Sequence, residues 1–439
     1  MKQLIYILLI GILFTACKKD KITGIQPVDL NINVAYNIQT SGYTLPVKDI
    51  IVKIKNVNTG TTQTLNTNEK GEIVFGSIAA GTYDIDASIK IDAKTYTQLT
   101  GIETASDITF NASSKNKQIV VGFTDVVELK LVAGSVNDWV IKQIYYAGSH
   151  RTNGATFRDQ FIEFYNNGEQ TLYADSLYFA EITGVISLPQ TSYNVQANGQ
   201  MDWSKSVNMP TNIDANNDYV YARAVLMIPG NGKQYPVLPG KSIVVAQTAL
   251  NHKEPFTGTD GKSVTVLDPS LTVDLSKADF EAYYAPFLAK PLASDVDTPV
   301  PNLEVISYFG TDMIFDNPGR YSYILFKPDA KTKVKELPQY NYATKTAPGT
   351  TATKYYQIPN KFILDAVEIQ SNLPDDRNPK KLGPSFDAGF TFVPAGSYTS
   401  QSVIRKTEKT VNGRIVLKDT NNSTEDFDFF NIATPRGFK

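Results

Sequence analysis

Two short stretches set the period of this chain at two residues. In DIIVKIKNV, Ile50, Val52 and Ile54 fall on one face and Lys53 and Lys55 on the other. In TYDIDASIK, Tyr83, Ile85, Ala87 and Ile89 stand opposite Asp84, Asp86 and Ser88, and VVELKLV repeats the pattern with Val127, Leu129 and Leu131. Successive side chains of an extended backbone point to opposite faces, so this alternation spells strands with one buried side. The stretches NTG, NEKG and AAG supply turns between them. Composition agrees: 24 tyrosines and 22 phenylalanines against two histidines, with 42% hydrophobic residues, favour sheets over helices. The 439 residues allow two or three domains with ample core. The expected fold class is all-β, with two sandwich domains in series.

The N-terminus reads as a processed segment. After Met1 and Lys2 comes LIYILLIGILF, uncharged, then small residues at Thr15 and Ala16. The run is short of the roughly 20 residues a membrane-spanning helix needs. FTAC, residues 14–17, resembles the bacterial lipoprotein signal, although Phe14 stands where leucine is commoner. The resemblance implies cleavage after residue 16, lipidation of Cys17, and multiple acyl chains that anchor stably where one binds only marginally. An ordinary signal peptide cut elsewhere, or a buried thiol, is the alternative. Cys17 is the only cysteine, so no intrachain disulfide exists. KKDK after Cys17 has no aspartate in the next position, which in that resemblance implies export to the outer membrane. The charged tract is also similar to surface-export signals, with Asp20 its only acid.

Residues 17–27 form the expected lipidated tether, and the strand pattern of residues 28–133 a first domain. There TLNTNEKGEIVFGSIAAGTYDIDA resembles the transthyretin-like, carboxypeptidase-regulatory type, with Gly71 and Gly81 at backbone positions a side chain resists. Such domains are spacers or interaction modules. Residues 134–439 form the second. Its strands include WVIKQIYYAGS and DQFIEFYNNGEQTLYADSLYFAE, the latter around the Asn166-Asn167-Gly168 turn. FIEFYNNGEQTLYADSLYFA and LPGKSIVVA resemble a lamin-tail immunoglobulin-like sandwich. VDLSKADFEAYY, VPNLEVISYF and GRIVLKDTNNSTEDF together resemble a domain of unknown function (number 4876) found in outer-membrane lipoproteins. The resemblance implies a surface accessory to TonB-dependent transporters and carries no catalytic residues.

One stretch predicts a helix. In DLSKADFEAYYAPFL, Ser276 can cap with Asp279 three residues on, Phe280, Tyr283, Tyr284 and Phe287 form a stripe, and Pro286 presses on the end. Long irregular segments at 289–303, 338–360 and 371–388 are candidate functional loops.

The sequence offers little catalytic chemistry. Only His150 and His252 could supply an imidazole, no G-x-S-x-G elbow is present, and Ser149 beside His150 points away from it on a strand. Both histidines are expected in surface or capping roles, with a binding role open for His252. Zinc is excluded for want of ligands. NIDANNDY offers a calcium candidate in Asp214, Asn216 and Asp218, but lacks the glycine and distant glutamate of an EF-hand, so an Asx-rich turn competes with it. Asp375 and Asp376 are the nearest thing to a carboxylate pair for glycoside hydrolysis, in a proline-rich turn where solvated acids are the default. No phosphate or dinucleotide motif appears, so no cofactor is expected. A net charge of −2 speaks against nucleic acid or an anionic membrane surface as partner. Trp203, Tyr219, Tyr221, Tyr355 and Tyr356 lie in or beside irregular segments, where they serve either core packing or binding. The expectation is a non-enzymatic, surface-exposed outer-membrane lipoprotein that binds a small molecule, glycan or protein, or assists a transporter. Adhesion is the runner-up.

Overall fold

The computed structural model describes residues 26–37, 44–104, 107–134, 137–187 and 190–439. The leader, Cys17 and most of the tether fall outside them. The protein is all-β, with a few short helical turns between its sheets.

The first unit has seven strands: β1 (Val28–Tyr36), β2 (Ile51–Asn56), β3 (Thr62–Asn66), β4 (Glu72–Ile78), β5 (Gly81–Ile91), β6 (Ile108–Ile119) and β7 (Val126–Ala133). They run in the order β3-β2-β5-β6-β7-β1-β4. β1 is parallel to β7, and its other neighbour, β4, is antiparallel. β6 and β7 pair only at Phe110–Ala133 and Asn111–Val132. The ribbon therefore folds over on itself there, and Leu30, Val34 and Phe75 from one half meet Val52, Ile54 and Ile85 from the other in a single core. The alternation in β2 and β5 that predicted buried Ile50, Val52, Ile54, Ile85 and Ala87 is borne out. The opposite face of β5 is not left to water, however. Asp84 is buried, Asp86 is ion-paired to Lys115, and the two lie within electrostatic reach of Arg377 and Lys380 of the second unit.

Gly71 closes the turn into β4 at φ +80°, where a Cβ would run into the Val34 carbonyl oxygen. Gly81 works differently from expectation: its φ is ordinary, and a Cβ there would meet only the Asn56 side-chain amide. The helix Ala93–Thr100, α1, is not apparent from hydrophobic periodicity because it buries no residue. Its ends are capped instead, by Asp92 accepting from the Thr95 amide at 2.9 Å and by Gly101 at φ +72°.

The second unit stacks two sheets. One runs in the order 280–281, 242–246, 161–166, 139–145, 402–405, 427–430, and the other 339–340, 355–359, 219–227, 178–182, 322–326, 363–368, with 304–307 also beside 219–227. Ile141, Ile162 and Val245 from the first meet Phe179, Leu226 and Leu325 from the second. The central strands Trp139–Tyr145 and Phe161–Asn166 are buried at every position, so both faces are covered. Lys142 is accommodated there by an ion pair to Glu163 at 2.9 Å and by the ring of Phe438, 3.7 Å from its Nζ, near the chain's C-terminus.

The helix expected over the DLSKADFEAYYAPFL stretch does not form. Phe280–Glu281 is a strand edge beside Val245–Ala246, and only Ala285–Phe287 turns, as a 3-10 helix. The residues that would have started a helix are used locally: Asp274 accepts from the Ser276 amide at 2.9 Å, and Asp279 accepts from the Val244 amide at 2.7 Å. Phe280, Ala282 and Tyr284 then enter the core at strand spacing. Glu281 between them is buried because the Ala249 and Thr298 amides donate to it.

The units touch through polar contacts. Asn111 donates to the Thr420 carbonyl at 2.7 Å, and Lys53 pairs with Glu425 at 2.9 Å. Both partners come from the turn-rich KDTNNSTED segment, residues 418–426.

Candidate functional site

The strand Tyr219–Met227 slips register against its neighbour. Glu181 faces Ala224 and Ile182 faces Ala222, which leaves Arg223 at a bulge with no partner across the ladder. A bulge re-aims the side chain it carries. Arg223 Nε donates to Glu181 Oε2 at 2.7 Å, and its guanidinium lies between the rings of Phe309 at 4.0 Å and Tyr321 at 3.9 Å. Burial works against the charge on Arg223, but Glu181 and Tyr321 outweigh it and hold its pKa above the ordinary value. Glu181 is pushed up to about 7 by burial, opposed by Arg223, and its second oxygen, Oε1, has no hydrogen-bond partner.

Phe309 follows the strand Glu304–Ser307, and Gly310 at φ +82° turns the chain directly after it. Tyr308 beside it donates to the Phe287 carbonyl at 3.0 Å and meets the Phe287 and Tyr284 rings at 6.0 and 5.7 Å. Phe287, Tyr308 and Phe309 are 48%, 40% and 45% exposed. Phe309 half in water above a buried arginine–carboxylate pair, with the half-exposed Tyr308–Phe287 pair next to it in sequence, offers ring faces to a partner. The loop 289–303 leaves and returns between the two segments that carry them.

Behind Arg223 lies a second aromatic layer. Trp203 stacks on Tyr221 at 3.7 Å, Tyr342 stacks on Tyr355 at 4.4 Å, and the Tyr342 hydroxyl makes a short hydrogen bond with Thr183. Of the aromatics singled out from sequence, Trp203, Tyr221 and Tyr355 thus come together, but as a buried cluster, and Tyr356 packs in another core with Val220 and Ile358. Tyr219 is half-buried at the edge of the first cluster. These rings brace the patch and do not form its surface. Segment 338–360 contributes Tyr342 and Tyr355 to this cluster, and segment 371–388 contributes Leu382 to the core of Val220 and Ile358.

The other candidates lie apart. His150 is exposed, and its Nδ1 accepts from the Thr152 and Asn153 amides, a capping role. His252 is buried, Nε2 within 3.0 Å of the Thr248 carbonyl, and burial depresses its pKa to about 4. Ser149 Oγ accepts from the Ala155 amide. Asp214 accepts from the amides of Asn216 and Asn217, while Asn216 accepts from the Trp203 amide and donates to Asp202. This Asx turn seats Trp203. Asp218 is exposed nearby, and among the described residues no three His, Cys, Asp or Glu side chains converge as metal ligands. Asp375 and Asp376 are exposed in a 3-10 turn. Buried acids exist elsewhere: Asp312, pushed up to about 8 by burial and by Asp295, accepts from Gln247 at 2.5 Å and from the Met313 amide. A polar recess of about 190 Å³ lies between the units, with Lys90 and Asp107 on one side and Asp138 and Asp419 on the other.

Sequence reading missed Arg223, Glu181, Tyr308 and Phe309. The available signals were a lone arginine breaking YVYARAVLM, and an aromatic pair set before a glycine at a strand end.

Residues 238–434 match the family model described as protein of unknown function (DUF4876). Among solved structures, the chain is similar to a DUF4876 family protein from Bacteroides thetaiotaomicron VPI-5482, at 24% identity and a TM-score of 0.51, covering 92% of this chain and 95% of that one. That likeness concerns the fold. No curated protein matches.

Proposed function

We propose that this protein is a non-enzymatic, lipid-anchored outer-membrane protein of the cell surface, held through Cys17, whose second sandwich binds a partner through Phe287, Tyr308 and Phe309. The observation that carries the binding reading is the exposure of Phe287 and Tyr308, in ring contact with each other, and of Phe309, next in sequence and seated on Arg223 of the buried Arg223–Glu181 pair, each ring 40% to 48% exposed. Large apolar groups left together in water mark interaction surfaces, and aromatic side chains, with few rotatable bonds, lose little conformational freedom when covered. The transthyretin-like and lamin-tail-like resemblances fit a spacer carrying a recognition module. The surface-lipoprotein resemblance supports a TonB-dependent receptor as the partner class.

Two measurements test the reading in parts. Mass spectrometry of the mature N-terminal peptide from native membranes is expected to find Cys17 first and lipid-modified, and Cys17→Ala to release the protein from the membrane. An unmodified Cys17, or a variant still held in the membrane, would remove the anchor. Binding is tested separately, by substituting the three rings and following recovery of the partner.

A further inference from the structure

We propose that the loop joining β6 to β7, residues 120–125, rests on the bilayer to which the chain is tethered, with Val120 and Val121 entering its interfacial layer. The inference rests on the lipidation of Cys17 proposed above.

Strand pairing gathers specific connections at the end of the first unit where β1 begins. Ile78 pairs with Val28, Gly81 with Ile119, and Val126 lies beside Asn31, so the β4–β5 and β6–β7 connections both lie at the tethered end. The β2–β3 turn joins them, since Asn56 pairs with Tyr83. Val28 follows Cys17 so closely in sequence that even a fully extended chain spans only about 40 Å between them. This end of the unit therefore stays within about 40 Å of the membrane and is the end that the tether brings nearest to it.

Val120 and Val121 are 59% and 54% exposed at this end and Val126, which opens β7, 52%, while Ile119 before the loop and Val127 within β7 are 1% and 5% exposed. The core therefore takes Ile119 and Val127 and leaves the two valines of the loop out. A turn fixes them in place: the Phe123 amide donates to the Val120 carbonyl at 3.0 Å, and Gly122 takes φ +81°. Lys117 lies against the Phe123 ring, its Nζ 5.7 Å from the centroid, so a cation stands beside the apolar tip. A phospholipid headgroup layer suits that combination, its phosphates meeting Lys117 and its edge the apolar tip, while the exposed Asp125 of the same loop leaves the contact apolar and not driven by net charge. Two valines on a turn are far short of the roughly 800 Å² per partner of a stable protein interface. A weak apolar contact is nonetheless useful to a chain already held at the surface by a lipid, because the two attachments add.

Lipidation consumes the only native thiol, so a cysteine introduced by Val121→Cys can be labelled alone. The full-length protein, matured in its host, is recovered in outer-membrane vesicles with an environment-sensitive fluorophore at that position, and Thr350→Cys in the second unit serves as the comparison site. Brominated phospholipid is then introduced, and the N-terminal peptide of the same sample is weighed. Quenching at position 121 and none at 350 is the expected result. No quenching at 121 on a chain whose Cys17 carries lipid would overturn the loop contact alone. A Cys17 without lipid would overturn the anchor and the contact together.

Discussion

At the scale of single residues, the patch depends on a charge that is costly to bury. The Arg223 and Glu181 side chains are 11% and 8% exposed, and each is the other's counter-charge, through Arg223 Nε and Glu181 Oε2. Removing one partner of a buried pair leaves the other uncompensated, at a cost of about 3 kcal/mol. Arg223→Ala is therefore expected to lower the urea midpoint markedly, and Glu181→Gln less so, because a neutral amide can still accept from the guanidinium. Equal, small effects would show that the pair is not insulated. A second residue sets a pH dependence. Asp312 binds its proton more tightly in the folded chain, at about 8 against an ordinary 3.8, because burial and Asp295 disfavour its charge. Its contribution to stability is present below the unfolded value and is lost as pH rises through the folded one. Asp312→Asn should thus flatten the decline in stability between about pH 4 and about pH 8, as read from paired urea titrations. The substitution should be accommodated, since the Gln247 amide can rotate to offer its unpartnered Oε1 to the new donor. These residues are not legible from sequence because an isolated Arg, Glu or Asp in a strand usually signals a solvated face, and only tertiary packing makes it otherwise.

At the scale of elements, alternation was a sound guide wherever a strand has one face on a core. β2, β5 and β7 carry the buried residues that their period places there. It fails in two informative ways. The strands Trp139–Tyr145 and Phe161–Asn166 are covered on both faces, so Lys142 and Glu163 sit inside despite a polar reading. The Phe280–Phe287 stripe mimics a helix because two adjacent tyrosines and a proline-bounded phenylalanine fall at i, i+3, i+4 and i+7, yet its even-numbered residues face the core as a strand edge would. The real helix, α1, depends on its caps instead, and Asp92→Ala is expected to speed amide hydrogen exchange over Ala93–Thr100 with little change elsewhere. The turn before β4 is stricter. Gly71→Ala must either abandon φ +80° or push its methyl against the Val34 carbonyl, and so should destabilise the first unit by more than the roughly 1 kcal/mol of a simple loss of glycine freedom. Gly81→Ala should cost less, because the Asn56 side chain can move aside. Thermal melts of the two variants side by side test that order.

At the scale of the whole molecule, the matched family region and the folding unit do not coincide. Residues 238–434 supply parts of both sheets of the second sandwich, but strands 139–145, 161–166, 178–182 and 219–227 are central to those sheets and lie outside the match. A fragment beginning at residue 238 is therefore expected to be unfolded by circular dichroism and proton NMR, whereas one beginning at residue 137 should fold. The candidate surface, too, belongs to the whole sandwich: Glu181 and Arg223 come from two strands before the matched region, and Phe287, Tyr308 and Phe309 from within it. The functional expectation from the sequence rests mainly on its first residues, where a short motif resembles a lipidation signal. The candidate surface is not legible in the sequence, because its parts, Glu181, Arg223, Phe287 and the Tyr308–Phe309 pair, are brought together from four separate segments by tertiary packing. The most direct test of the account is affinity recovery from native-host membranes after gentle solubilisation, comparing the wild-type chain with a variant carrying F287A, Y308A and F309A, both verified as folded. The account predicts that wild type brings with it a membrane partner, a TonB-dependent receptor by resemblance, and that the variant loses it. Equal recovery by both chains, or wild type emerging alone, would contradict it.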